Sequence, residues 1–443
     1  MTDDAQTLLD RLVGQFSSPY DFLRELVQNA MDAGSDLVEV ALHVHAGDVA
    51  GEVIYELEVI DAGVGMDEEI IDGQLTRLFG TSKTDDRTMA GGFGIGFVSV
   101  FAWSPERVLV QTGRQGDAWE LVFFEDRRFE KHRVDMPLEG TTIRLFRRGT
   151  PAEREGIAEA IEDSLQRWCR FCPIEITFED VESGEGPQAV SEPFTLEDVA
   201  ASVTVQRGPT RCTMGFSANP SAVLMRRGLV LAEGACAELL PTLCKDAGTT
   251  VEHLDVRVDS PRLRTGLARD AVVDDADRHA LERELEDVLA DLRGTLAGRV
   301  EALAAKSAWG PDDARTYSHL HAHLRLEHHV RSLRLTERPV LRLATGGAVS
   351  LLGLHRRARL GVVAVADADE LGDALELRLI ALRSSIPVVH GRWALDARWL
   401  PSLLEQVGLR VQPLASLVSR LEPAPSDAQA VGALAVSMLE GSA

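Results

Sequence analysis

The chain is short of positive charge: 46 lysines and arginines stand against 70 aspartates and glutamates, a formal net charge of −24 over 443 residues. Proteins that hold nucleic acid by neutralising its phosphates need basic patches, so this balance argues against a nucleic-acid partner and suits selective association with other proteins. Long apolar runs are missing too, and no secretory leader opens the chain. A transmembrane helix needs about 20 largely apolar residues, so the expectation is a cytoplasmic protein with no membrane contact. Cysteines are few. Five of them, an odd number at irregular spacing, fit a reducing compartment better than a disulfide framework. Cys169 and Cys172 form a lone Cys-x-x-Cys with no second pair at zinc-site spacing. They lie where a helical pattern through Ile157, Ile161, Leu165 and Trp168 gives way to a strand, and read as packing residues at a helix end. Two common nucleotide motifs are also absent. There is no Gly-x-x-x-x-Gly-Lys-Ser/Thr, and Val98 and Ser99 follow Gly96 where a dinucleotide fold needs its third glycine.

What is present begins with a normal hydrophobic content, 45%, in a chain long enough for about two to three domains. The stretch that organises it is 25–33, Glu-Leu-Val-Gln-Asn-Ala-Met-Asp-Ala. Positions four and seven residues apart return to the same side of a helix, so Glu25, Asn29 and Asp32 share a face. Two carboxylates in an otherwise apolar segment require partners or a ligand, unless the face is simply solvated. An alternating run through Val53, Tyr55, Leu57 and Val59 then reads as a half-buried strand ending at Asp61-Ala62-Gly63-Val64-Gly65-Met66. Glycines there let backbone approach a flat ligand while Asp61 accepts hydrogen bonds; a plain turn is the alternative. Four glycines in six residues, Gly91 to Gly96, precede the apolar start of a helix. Such a loop presents N–H groups and a positive dipole end to phosphate. Gly140-Thr141-Thr142 opens another alternating strand through Ile143, Leu145 and Phe146.

In order, spacing and chemistry these four motifs resemble those of the GHKL ATPases, which include the ninety-kilodalton heat-shock chaperones (the HtpG class in bacteria), topoisomerase ATPase subunits, MutL proteins and histidine kinases. The resemblance implies ATP and Mg²⁺ as cofactors and a role for each position. Glu25 would be the general base for the attacking water, and Asn29 would bind the magnesium ion. Asp61 would accept the adenine amino group, with a water shared by Thr141. Asp32, Gly65 and Met66 would line the base pocket, and Gly91, Gly94, Gly96 and Phe97 would lie in or beside the phosphate loop. Residues 67–89 would form a lid shorter than the chaperones' own, in which Lys83 is either a phosphate contact or an ordinary exposed lysine.

Further along, Leu224-Met225-Arg226-Arg227-Gly228-Leu229-Val230, Val258-Asp259-Ser260-Pro261 and Gly266-Leu267-Ala268-Arg269-Asp270 resemble the chaperone middle domain. There Arg269 matches the arginine that reaches the γ-phosphate, with Arg264 as a rival and a surface salt bridge as the plain alternative for either. The implied fold is α+β: a Bergerat-type ATPase sandwich with a largely antiparallel sheet over 1–190, a middle domain over 191–315, and a small α/β and helical region over 316–443. A short amphipathic helix at 3–13 leaves room for a transient homodimer through the N-terminal domain, since such an element exchanges between subunits in dimeric members. No counterpart of the chaperones' C-terminal dimerisation domain is visible. A long helical pattern spans 276–305, and His319, His321 and His323 read as a solvated or satisfied cluster, not a metal site. The function implied is an ATP-hydrolysing, chaperone-like protein coupling lid closure and domain rearrangement to a client or partner protein. The alternatives are a GHKL ATPase of a DNA-linked machine and a nucleotide-gated module without turnover.

Overall fold

A computed structural model of the chain describes residues 18–76, 95–246, 253–265, 272–310, 312–327, 333–366, 386–390, 404–405 and 407–414. The two alternating runs that follow the polar helix pair as expected. Strand β1 (Leu37–Ala46) runs antiparallel to β2 (Val53–Asp61), with Val40 opposite Val59 and Leu42 opposite Leu57. Every second residue of each points into the core, the period that a half-covered sheet imposes. Four more strands extend this sheet: β3 (Arg107–Arg114), β4 (Asp117–Phe124), β5 (Phe129–Arg133) and β6 (Gly140–Gly149). On the far side stand β7 (Glu175–Asp180) and the two-residue β8 (Gln188–Ala189). The spatial order is β5-β4-β3-β6-β2-β1-β7-β8, and only β1 and β7 pair in parallel. Helices α1 (Phe22–Asp32) and α2 (Arg154–Cys169) share one apolar core with it, through Phe22, Leu23 and Leu26 from the first and Ile157, Ile161 and Leu165 from the second. Cys169 and Cys172 are buried at the end of α2, as packing residues would be.

A second sheet follows, ordered β12-β11-β13-β10-β9, from β9 (Ser202–Arg207), β10 (Thr210–Phe216), β11 (Ala222–Arg226), β12 (Leu229–Gly234) and β13 (Leu254–Asp259). Strand β11 is apolar on both faces, and the fold uses both. Ala222 and Leu224 pack toward α3 (Ala276–Ala305), whereas Val223 and Met225 join the core of the first sheet together with Leu229 and Val230. Arg170, just past α2, fastens the same junction by donating to Glu233 at 2.8 Å. Helix α3 has the bounds that its sequence pattern predicts, because Asp275 caps it by accepting from the Arg278 amide at 2.9 Å. Beyond it come α4 (Asp313–Leu326), a short hairpin of β14 (Leu341–Arg342) and β15 (Ala348–Val349), and α5 (Leu351–Arg357). A parallel sheet β17-β16-β18 then closes the described part, from β16 (Val362–Ala366), β17 (Val388–His390) and β18 (Arg410–Pro413). The expected 3–13 helix lies outside the described residues, as does much of the region beyond 366.

Of the histidines of α4, His321 and His323 are packed, whereas His319 is exposed. His321 is fully buried, lies edge-on to Tyr317 with centroids 4.3 Å apart, and has Nε2 2.9 Å from the Val340 carbonyl. His323 stacks near Phe216 and His253. His253 and Arg293 both reach the buried Glu327 carboxylate, at 2.9 and 2.6 Å. Among the described residues no group of three or more His, Cys, Asp or Glu side chains forms a metal cluster. Burial pushes the His321 imidazole down to about 3. For Glu327 burial pushes the carboxyl up, but the hydrogen bonds from His253 and Arg293 and the Arg293 charge outweigh it and hold the group below the usual range. Both effects have one sign. A histidine kept neutral in the fold is protonated in the unfolded chain below about pH 6.5, so its burial costs stability progressively as pH falls toward its folded value. A depressed carboxylate contributes stability above its unfolded pKa and loses it on further acidification. Stability is therefore expected to fall between about pH 6.5 and 4 by about 1.4 kcal/mol per pH unit for His321 alone. Denaturant unfolding at a series of pH values checks this, and His321→Gln, which keeps a donor toward Val340, should flatten the slope; an unchanged slope would refute the assignment.

Candidate functional site

The site is built where α1, the end of β2 and the start of β6 meet. Helix α1 is fixed at its beginning by α2: the Asp21 carboxylate accepts from the Ser18 amide at 3.0 Å and from the Trp168 indole at 2.9 Å, and Ser164 donates to the Tyr20 carbonyl at 2.9 Å. Its apolar residues face the sheet, which leaves Glu25, Asn29 and Asp32 on the adjoining face. Glu25 is only 4% exposed. Gly96, in the short helix Ile95–Val98, lies against it so closely that a Cβ there would sit 3.0 Å from Glu25 Oε2. A side chain at that position would crowd the carboxylate.

Beside this face opens a cavity of about 240 Å³. Of the residues singled out from the sequence, Asn29, Asp32, Asp61, Gly65, Met66, Phe97 and Thr141 line it, with apolar walls from Leu26, Val110 and Ile143. A mostly apolar concavity with a few converging polar groups is the usual form of a small-molecule site. Asp61 ends β2 directly opposite Thr141 on β6. One carboxylate oxygen accepts from the Gly63 amide at 2.9 Å. Burial raises the pKa of this carboxyl above its ordinary value, and the Gly63 hydrogen bond opposes the rise. Gly65 adopts φ +65°, and a Cβ there would lie 2.0 Å from the Gly113 carbonyl oxygen. Only glycine lets the loop fold back this tightly. The loop is pinned by Met66, whose amide donates to Thr112 Oγ1 at 2.9 Å; that hydroxyl is 3.1 Å from Thr141 Oγ1.

Thr112 is therefore a site residue that sequence reading misses, since a hydroxyl within an alternating strand carries no signal until the β3–β6 register is known. Arg114 is another: it lines the cavity and lies 3.6 Å from Asp67. Asp67 caps the helical turn Glu68–Ile70 by accepting from the Ile70 amide at 2.9 Å, and Lys131 holds that turn through Glu68 and Asp72, at 3.0 and 2.8 Å. This turn is the described beginning of the expected lid. Lys83, Gly91, Gly94 and Arg269 lie outside the described residues. Arg264, the rival to Arg269, is engaged in a surface ion pair with Asp275 and Asp277 at 3.1 and 2.9 Å. Arg227, which sequence reading gave no role, reaches from the β11–β12 turn to donate to Asp32 and, at 3.3 Å, to the Met31 carbonyl.

Residues 16–148 match the family described as histidine kinase-, DNA gyrase B- and HSP90-like ATPase. The N-terminal part of the chain thus carries a GHKL-type ATPase domain, with the mixed α+β architecture of that class. Within the class it resembles the bacterial chaperones. It is 29% identical over 157 residues to the chaperone protein HtpG of Coxiella burnetii, covering 29% of this chain and 24% of that one. Against HtpG of Nitrosospira multiformis the identity is 31% over 173 residues, covering 33% and 27%. For HtpG of Bacteroides fragilis it is 27% over 179 residues, covering 35% and 25%. The chain spans about a quarter of the length of these relatives.

The loop geometry makes a definite demand. Gly65→Ala places a Cβ against a backbone carbonyl at positive φ, so the loop must move and Met66 must leave Thr112. The variant should lose at least about 1 kcal/mol of stability and bind a fluorescent ATP analogue more weakly than the native chain. Unchanged thermal unfolding and unchanged analogue binding would show that the loop is not held in this way.

Proposed function

We propose that the chain binds and hydrolyses ATP, and that lid closure and a rearrangement of the two sheets pass the energy of that cycle to a client or partner protein, as a cytoplasmic chaperone-like ATPase. The observation that carries the reading is the convergence of Asn29, Asp61 and Thr141 on one cavity, with Glu25 buried one helical turn before Asn29. In this reading the base lies between the apolar walls near Met66 and Ile143. The Asp61 oxygen that is not committed to Gly63 accepts the adenine amino group, and the Thr141 hydroxyl supports it. The Asn29 side-chain oxygen is a hard ligand suited to Mg²⁺, which takes few protein ligands alongside phosphate oxygens. When bound, the ion supplies charge neutralisation on the phosphates.

Glu25, one helical turn before Asn29, holds the attacking water and takes its proton as the general base. In this reading Gly91, Gly94 and Gly96 belong to the phosphate loop, Phe97 lies among the nucleotide-binding residues, and Lys83 belongs to the lid. Arg269 supplies the arginine that stabilises charge on the transferred group. The acidic surface favours protein partners, including a second copy met transiently through the N-terminal domain, over nucleic acid or membrane; no helix among the described residues is long and apolar enough to cross a membrane.

Steady-state hydrolysis measured alongside calorimetric nucleotide binding tests the reading. Glu25→Ala should keep ATP affinity within a few-fold while turnover falls by about 10²- to 10⁴-fold. Arg269→Ala should slow turnover with binding kept, and added DNA should change neither. Binding without turnover in the native chain would replace the enzyme with a nucleotide-gated scaffold. Because protonation removes an acceptor that the amino group needs, ATP affinity should weaken on acidification, beginning above the ordinary carboxylate value of about 4. Asp61→Asn should bind weakly at every pH; a native affinity that stays flat through the acid range would dissociate Asp61 from base recognition.

A further inference from the structure

A second cavity, of about 250 Å³, lies on the neighbouring face of α1, between that helix and the β11–β12 turn. Arg24 and Gln28 enter it from successive turns of the helix, Arg226 and Arg227 from the hairpin turn, and Thr265 from the segment after β13. Its charge is lopsided. Three guanidinium groups meet one lining carboxylate, Asp32, and Arg227 already binds that one.

Arg24 is the more telling group. It is 6% exposed, its guanidinium lies 5.0 Å over the Trp168 ring, and its buried Nε has no hydrogen-bond partner among the described residues. Asp21 is near enough to favour the charge, yet it accepts from Ser18 and Trp168. A buried guanidinium N–H without an acceptor is costly, and guanidinium groups match tetrahedral oxyanions through paired N–H donors. In a chain of net charge −24, such a pocket is a local reversal of sign.

We propose that this cavity is an oxyanion site, separate from the nucleotide cavity, that takes a small tetrahedral anion of the phosphate class on Arg24, Arg226 and Arg227, with Gln28 and Thr265 as neutral donors. Asp32 lines both cavities. An anion that draws Arg227 away changes the partner of a carboxylate that also faces the nucleotide cavity, so the two sites are coupled, and the coupling is reciprocal.

Two sources share this chemistry, free inorganic phosphate and the terminal phosphate of a nucleotide reaching through from the first cavity, and calorimetry on the full chain separates them. Inorganic phosphate titrated into the native protein should bind at one site per chain. Arg226 and Arg227 are exposed, so the double variant R226A/R227A should fold, which circular dichroism checks, and should bind phosphate at least tenfold more weakly. D61N should bind it as the native chain does, and a saturating non-hydrolysable ATP analogue should shift the affinity without abolishing binding. The proposal is overturned if native protein takes up no phosphate, if the double variant binds it unchanged, or if the D61N substitution or the analogue abolishes binding. The last result would place the anion in the nucleotide cavity.

Discussion

The pairing of β2 with β6 is the constraint on which the site depends. It sets Asp61 opposite Thr141 at the mouth of the sheet, and the same ladder continues to Val53 opposite Gly149. Side chains alternate between faces with a period of two, so a slip of one residue would turn Asp61 away from the cavity and expose every apolar residue of the strand. The core thereby protects the site. Leu57, Val59, Ile143 and Leu145 cannot leave the interior without a large loss of buried apolar area, and while they stay the carboxylate and the hydroxyl stay beside the helix.

The second sheet is joined to the first by the same economy of strand geometry. With Val223 and Met225 on one face of β11 and Ala222 and Leu224 on the other, one strand belongs to two cores. The β11–β12 turn is consequently held at the last turn of α1, where Arg227 meets Asp32 and the Met31 carbonyl. A helix C-terminus carries partial negative charge on its free carbonyls, which favours a cation there. Any change in Asp32 caused by a ligand would be felt first by the hairpin, and then through β11 by the sheet and by α3.

How much of this was readable from the chain alone follows from which interactions are local. The face of Glu25, Asn29 and Asp32 is set by helical spacing, and Asp61 by the end of an alternating run, so both were legible. Helix α3 was legible to the residue, because its apolar repeat and its cap at Asp275 are both short-range. Thr112 was not, since its meaning arises from a register between strands 28 and more residues apart. The Arg227–Asp32 contact spans 195 positions and left no pattern. Strand β5, Phe-Glu-Lys-His-Arg, is an edge strand with one large apolar residue, so its pairing with β4 rests on backbone bonds that composition does not reveal. For His319, His321 and His323 the sequence left solvated and satisfied open together, and only the long-range packing that buries His321 and His323, and so keeps their imidazoles neutral, separates them from exposed His319.

The two carboxylates of the nucleotide cavity divide the work between them through their surroundings. Asp61 is desolvated and has one backbone N–H, so its charge is expensive until a second donor arrives, and a neutral amino group is the kind of donor that satisfies it without adding a buried cation. Asp32 is partly exposed and already neutralised by a guanidinium from the turn of another sheet. It gains little from a neutral donor and responds instead to anything that competes for Arg227. On the proposed reading, the carboxylate at the end of β2 recognises a ligand by direction and the one at the end of α1 registers charge, so that one cavity serves both binding and communication.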